Sequence, residues 1–210
     1  MSDDKSEGYK LAQQFMRQNR KMFDLATPSK PDTGFAAAVH RLFGDRPQKG
    51  KRFRLANREY IYSGYDKNLV SFVPVQWKEA LDKKARVWPG CENWWAGYPL
   101  ILWIELRLGD NGVTGHLRLN AEVGPVSGHA ARKGLLMAIK NAATASGSSR
   151  IRLEATAFGE KQRYSRFLRE NSIALSDIRN VNEVERTFVQ LLAQFEEEFA
   201  IITAAIAEYP

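Results

Sequence analysis

Apolar residues recur at three- and four-residue steps near the C-terminus. Val184, Phe188, Leu191, Leu192, Phe195, Phe199, Ile202 and Ile206 fall on one stripe, which predicts a long amphipathic helix with Asn182 at its start. The same period appears in "SGHAARKGLLMAIKNAATAS", where Ala131, Leu135, Leu136 and Ile139 form the apolar side and Ser127 is placed to cap. It appears again in "EGYKLAQQFMRQNRKMFDLA" and in the short "GFAAAVHRLFG". Between these helices the period falls to two. "EYIYSGYD", "LVSFVPV", "LILWIELRL", "TGHLRLNAEVG" and "RIRLEATAF" are rich in β-branched and aromatic residues and predict strands. Asp110-Asn111-Gly112 tolerates positive φ and predicts a hairpin between two of them. "VQWKEALDKKARVW" predicts a turn or two of helix, and "KQRYSRFLREN" a short basic one.

This order predicts an α+β fold, an antiparallel or mixed sheet packed with helices. Residues 1–48 are expected to form an N-terminal helical arm, and residues 49–210 the α+β domain that ends in the long amphipathic helix. The apolar stripe of that helix serves either the core or a dimer, and the pattern leaves both open.

Composition narrows the class. At 210 residues with 44% apolar content the chain can bury a core. The single cysteine, Cys91, excludes an internal disulfide and a multi-cysteine zinc site, and the start "MSDDKSEGYK" has no signal-peptide pattern. A cytoplasmic protein with no membrane segment is expected. The net charge of +7 is uneven: residues 1–100 hold 18 Lys/Arg against 11 Asp/Glu, and residues 176–210 hold 2 against 7. A basic surface attracts nucleic acid by neutralising phosphates.

Candidate chemistry follows from this charge. Lys49, Lys51, Arg52, Arg54 and Arg58 form a run in which strand alternation would set Arg52, Arg54 and Arg58 on one face. Lys161, Arg163, Arg166 and Arg169 take helical steps, and Arg132 and Lys133 open the helix after Gly124-Pro125. All five tryptophans lie between 77 and 103. Trp77 and Trp103 sit on segments with core pattern, while Trp94 and Trp95 are the candidates for stacking on bases or anchoring a partner. His40, His116 and His129 lack metal-ligand spacing, so no metal or other cofactor is expected. The "GPVSGHAARKG" corner matches neither phosphate-loop pattern nor the nucleophile elbow and reads as a strand-to-helix turn. For a metal-dependent nuclease, Asp82-Lys83-Lys84 with Asp66 has the acid-x-Lys spacing but falls on a predicted helix; the strand carboxylates Glu105, Glu122 and Glu154 could meet in space, and none has a lysine two residues on.

Phe72, Pro74 and Trp77, then Val123, Gly124, Pro125 and Arg132, followed by "RYSRFL" and a closing helix, resemble the C-terminal accessory region of a bacterial family in the PD-(D/E)XK nuclease superfamily. The likeness covers approximately residues 55–208 and lacks the nuclease core with its metal-binding acids. It implies a free-standing relative of an accessory domain from a restriction or phage-defence nuclease, with DNA, RNA or a protein as partner. The expected function is a non-catalytic nucleic-acid-binding or nuclease-accessory module. The alternatives are a divergent metal-dependent nuclease and a protein-binding inhibitor or adaptor in a defence system.

Overall fold

A computed structural model describes residues 33–209, within the compact unit Thr33–Pro210. The helix expected over residues 7–26 lies outside the described residues. Helix α1 (Phe35–Phe43) comes first, followed by β1 (Arg52–Leu55), β2 (Arg58–Asp66), β3 (Leu69–Pro74) and α2 (Val75–Asp82). Next come β4 (Leu100–Leu108), β5 (Gly115–Val123), α3 (His129–Ala145) and a short 3-10 turn (Ala155–Phe158). The chain closes with β6 (Ser165–Arg166), β7 (Ser172–Leu175), α4 (Val181–Ala193) and α5 (Glu196–Glu208). The strands form one antiparallel sheet in the order β1-β2-β3-β4-β5-β6, with β7 also on β5. The fold is α+β.

Alternation in each strand gives the sheet two unlike faces. Register groups Phe53, Tyr60, Tyr62, Phe72, Leu102, Ile104, Leu117, Leu119 and Ala121 on one side. The helices bury that side. The Phe43 ring of α1 lies 4.5 Å from Phe53 and 5.8 Å from Phe188 of α4, which in turn lies 6.1 Å from Phe72. Each such fully buried side chain contributes about 2 kcal/mol of apolar transfer. Trp77 of α2 donates its indole N–H to the Phe199 carbonyl at 3.1 Å, tying α2 to α5. Helix α1 packs into this body, within the compact unit Thr33–Pro210.

The predicted hairpin joins β4 to β5. Gly112 has φ +64°, and the Asn111 side chain accepts from the amides of Val113 and Thr114. Three other expectations need correction. "RIRLEATAF" makes only one bridge, Ile151 to Leu168, before the 3-10 turn, so Glu154 stands on no strand. "KQRYSRFLREN" is extended rather than helical, because Ser165 and Arg166 pair with Val123 and Glu122, burying Ser165 and Phe167 and exposing Arg166 between them. The closing helix is two helices. It breaks at Gln194-Phe195, where Arg150 donates to the Gln194 carbonyl at 2.8 Å and sits 4.4 Å above the Phe195 ring. Asn180, not Asn182, caps α4 by accepting from the Glu183 amide.

Arg58 holds the second half of this break. Its guanidinium donates to Glu196 Oε2 at 2.7 and 2.9 Å and lies over the Phe199 ring, with its side chain only 11% exposed. The pair fastens the first turn of α5 to β2, and its charge-assisted bonds outweigh the cost of partial burial. Arg58→Ala is expected to lower stability by about 2 kcal/mol. Urea denaturation reads this as a lower midpoint with an unchanged slope.

Candidate nucleic-acid interface

The other face of the sheet alternates polar with apolar residues; its centre, including Ser71, Val73, Trp103 and Asn120, is buried, and α2 reaches its β1 edge through Lys78 and Glu79. Its register carries Arg52 and Arg54 from β1, Glu59 and Ile61 from β2, and Ser71 and Val73 from β3. Trp103, Glu105 and Arg107 from β4 stand opposite Asn120, Arg118 and His116 of β5, with Glu122 and Arg166 beyond. The loop between α2 and β4 lays its aromatic residues on this surface. Trp95 stacks on Trp103 with ring centroids 5.9 Å apart and planes 11° off parallel. The Arg166 guanidinium is 4.9 Å from the Trp103 centroid and 3.3 Å from Glu122. Trp94 meets the exposed Tyr164 at 6.2 Å, and Arg163 lies 5.9 Å from the Tyr164 ring. Near the β1 edge Lys49, Ile61, Val73, Lys78 and Tyr98 line a cavity of about 240 Å³.

The corner after β5 shapes this surface from behind. A β-carbon on Gly124 would sit 2.2 Å from the Trp94 ring, so only glycine admits that contact. Arg132, 4% exposed, reaches back from α3. Its Nε donates to the carbonyls of Gly124 and Arg163 at 3.3 Å, one terminal nitrogen to Ala157 at 2.8 Å, and the other to Ser165 Oγ at 2.6 Å. Burial lowers its pKa and nearby Glu122 opposes the shift, and a guanidinium stays charged at any working pH. The corner is therefore a structural hub. Ser127 does not cap α3: the N-cap is Gly128 with no side-chain bond.

The predicted cations separate into those that share the outward face and those that do not. Arg52 and Arg54 stand at the β1 edge, weakly paired with Glu79 and Glu59 at 3.9 and 3.7 Å. Arg163 and Arg166 lie at the β6 edge, about 24 Å away at ordinary strand spacing. Lys49 borders the same face and Lys161 is exposed near Arg163. Four do not share it. Arg58 is on the helix side, because the two-residue reversal at Ala56-Asn57 pairs Arg58 with Leu55 and resets the alternation. Lys51 has the same parity as Phe53, and its Nζ lies beside Gly44 at the end of α1. Arg132 is consumed by the corner. Lys133 is exposed on α3, away from the sheet surface.

Trp94 and Trp95 are half-buried, while Trp77, Trp88 and Trp103 are buried. Trp95 holds φ +45°, a conformation that costs a bulky residue about 1–2 kcal/mol. His116, Arg107, Arg118, Asn120 and Tyr164 complete the surface and were not singled out from the sequence. The alternation of "HLRLNAE" was the signal, since it sets His116, Arg118, Asn120 and Glu122 on one side. Burial, then Arg118 and Arg107, hold the His116 pKa below its ordinary value.

The acids do not converge on a metal site. Glu105 accepts from Arg107 at 2.9 Å and from Asn120 at 3.3 Å, and Glu122 is bound to Arg166. Glu154 is exposed on a loop and paired with Arg169. No group of three or more metal-ligating side chains occurs among the described residues. No described helix is long and apolar enough to cross a membrane. Compared with protein-family models, curated proteins and solved structures, the chain has no match.

Two predictions follow from the hub and the acid beside it. Arg132→Lys keeps the charge but not the fork, and is expected to lose about 3 kcal/mol in urea denaturation, with altered tryptophan fluorescence as Trp94 and Tyr164 loosen. Burial raises the Glu122 carboxyl above its ordinary 4.5, although Arg166 opposes this. The folded state therefore holds that proton more tightly than the unfolded state, and the stability due to Glu122 is lost as pH rises through the folded pKa. Stability of the wild type relative to Glu122→Gln is expected to fall as pH rises from the ordinary carboxylate range through the raised folded pKa; a difference that rises or stays flat contradicts this.

Proposed function

We propose that this domain is a non-catalytic nucleic-acid-binding module whose outward sheet face takes a single strand of DNA or RNA. One observation carries the reading: the half-buried Trp94 and Trp95 and the exposed Tyr164 lie on the same sheet face as arginines at both of its edges, while α1 and α4 pack on the other face. Arginines neutralise phosphates, and aromatic planes accept unpaired bases of any identity.

The acids on this face serve a different role from catalysis. Glu105 and Glu122 orient Arg107 and Arg166, while Glu79 and Glu59 pair weakly with Arg52 and Arg54, so phosphates would compete for these cations. A cytoplasmic setting agrees with the single cysteine. A place beside a restriction or phage-defence nuclease rests on the sequence resemblance alone. The residues that carry that likeness, Phe72, Trp77, Gly124 and Arg132, are core and corner residues here.

Fluorescence anisotropy of a labelled short single strand over a salt series tests the proposal. Affinity is expected to fall with salt, with a slope of about 0.7 per phosphate contacted. Arg52→Ala with Arg54→Ala, and separately Arg163→Ala with Arg166→Ala, should each weaken binding roughly tenfold at low salt and flatten the slope by about one. Lys133→Ala should change neither. An unchanged slope in both double variants removes this face from the interface.

A further inference from the structure

We propose that the cavity beside the β1 edge takes one base of the strand, turned out of its stack, while the phosphate next to that base rests on Lys49 and Arg52. The inference rests on the single-strand reading above and adds a base pocket to it.

The cavity measures about 240 Å³. Sites for drug-sized ligands start at about 300 Å³, so this one suits a single ring system rather than a whole nucleotide. Its floor is apolar. Ile61 of β2 and Val73 of β3 stand opposite each other and are buried, and Ala96 borders the space from the loop that also carries Trp95.

One side is polar and already organised. Lys78 and Tyr98 line the cavity, and Asp82 accepts from both: from the Tyr98 hydroxyl at 2.9 Å on one oxygen and from the Lys78 ammonium on the other. The Lys78 Nζ lies 5.6 Å from the centroid of the Tyr98 ring. An ammonium has three donors, and a phenol oxygen that donates still accepts. The pair therefore offers a donor and an acceptor to the polar edge of a ring. Apolar walls with a few fixed polar groups are the usual make-up of a small-ligand site.

The mouth is cationic. Lys49 lines the cavity and is exposed, and Arg52 pairs with Ile61 in the register of β1 on β2, which sets it on the same side of the sheet. Arg52 is held only by Glu79 at 3.9 Å. A polar ring that arrives with an anion on its flank matches this arrangement, and a base within a strand is such a group. Turning it out costs least where the strand is already unpaired.

Anisotropy titrations with a short oligo(dT), and with the same strand carrying one abasic position at a time, test this. Ala96→Leu and Ile61→Phe fill the cavity from two sides. In the wild type, abasic positions within the contacted stretch are expected to weaken binding about tenfold. Both filled variants should bind the intact strand about tenfold more weakly and lose the abasic penalty at one position, keeping it at the others. Should Ile61→Phe unfold, Ala96→Leu, at a half-buried loop position, decides alone. Intact-strand binding that Ala96→Leu leaves unchanged, or a penalty that Ala96→Leu removes at no position, overturns the pocket and leaves the single-strand reading standing. Failure of the wild type to bind the intact strand overturns both.

Discussion

Arg132 carries a charge into the seam between sheet and helix, and four oxygens from three separate segments converge on it: the corner after β5, the 3-10 turn, and the approach to β6. None of these segments has enough regular structure to fix itself. The corner turns away from the sheet at Gly124-Pro125, the turn is four residues long, and β6 has only two. A guanidinium with its donors in a rigid fork can satisfy all three at once, which a lysine ammonium cannot do with comparable geometry. Trp94 lies on Gly124, and Arg163, Tyr164 and Arg166 flank Ser165. The residues that face outward are therefore positioned by one that does not.

That arrangement separates the two jobs of the sheet. The apolar side anchors α1 and α4 through a connected set of aromatic contacts, while Trp77 of α2 and Arg58 of β2 hold α5 at Phe199. The polar side keeps tryptophan rings flat against the strands and arginines held by acids, a surface organised before any ligand arrives. Preorganised side chains lose less entropy on binding. The carboxylates on this face, Glu59, Glu105 and Glu122, are each engaged by an arginine.

Much of the architecture was legible from period alone. The strands from β2 to β5, the Asn111-Gly112 hairpin, and helices α1, α2 and α3 follow directly from alternation and turn chemistry. The misread segments are those where tertiary partners override local pattern. Arg150 contributes to the break between α4 and α5, although the apolar stripe runs on through Phe195. Pairing with β5 stretches residues 165–166, although the arginines take helical steps. Arg58 shows how a two-residue turn reverses the face of every later position, which no count of charges reveals. Arg132 was singled out for its charge, whereas its role is decided by burial, and burial depends on residues up to 33 positions away.

The central claim is that the outward face, and not the helical layer, meets nucleic acid. Two-dimensional ¹H–¹⁵N spectra that resolve tryptophan indole and arginine Nε–H signals test it most directly during titration with a short single strand. The account predicts that the indoles of Trp94, Trp95 and Trp103 and the Nε–H signals of Arg52, Arg54, Arg163 and Arg166 shift together, while the Trp77 indole, bonded to the Phe199 carbonyl, stays fixed. Shifts confined to the helical side, or none at saturating strand, would contradict it.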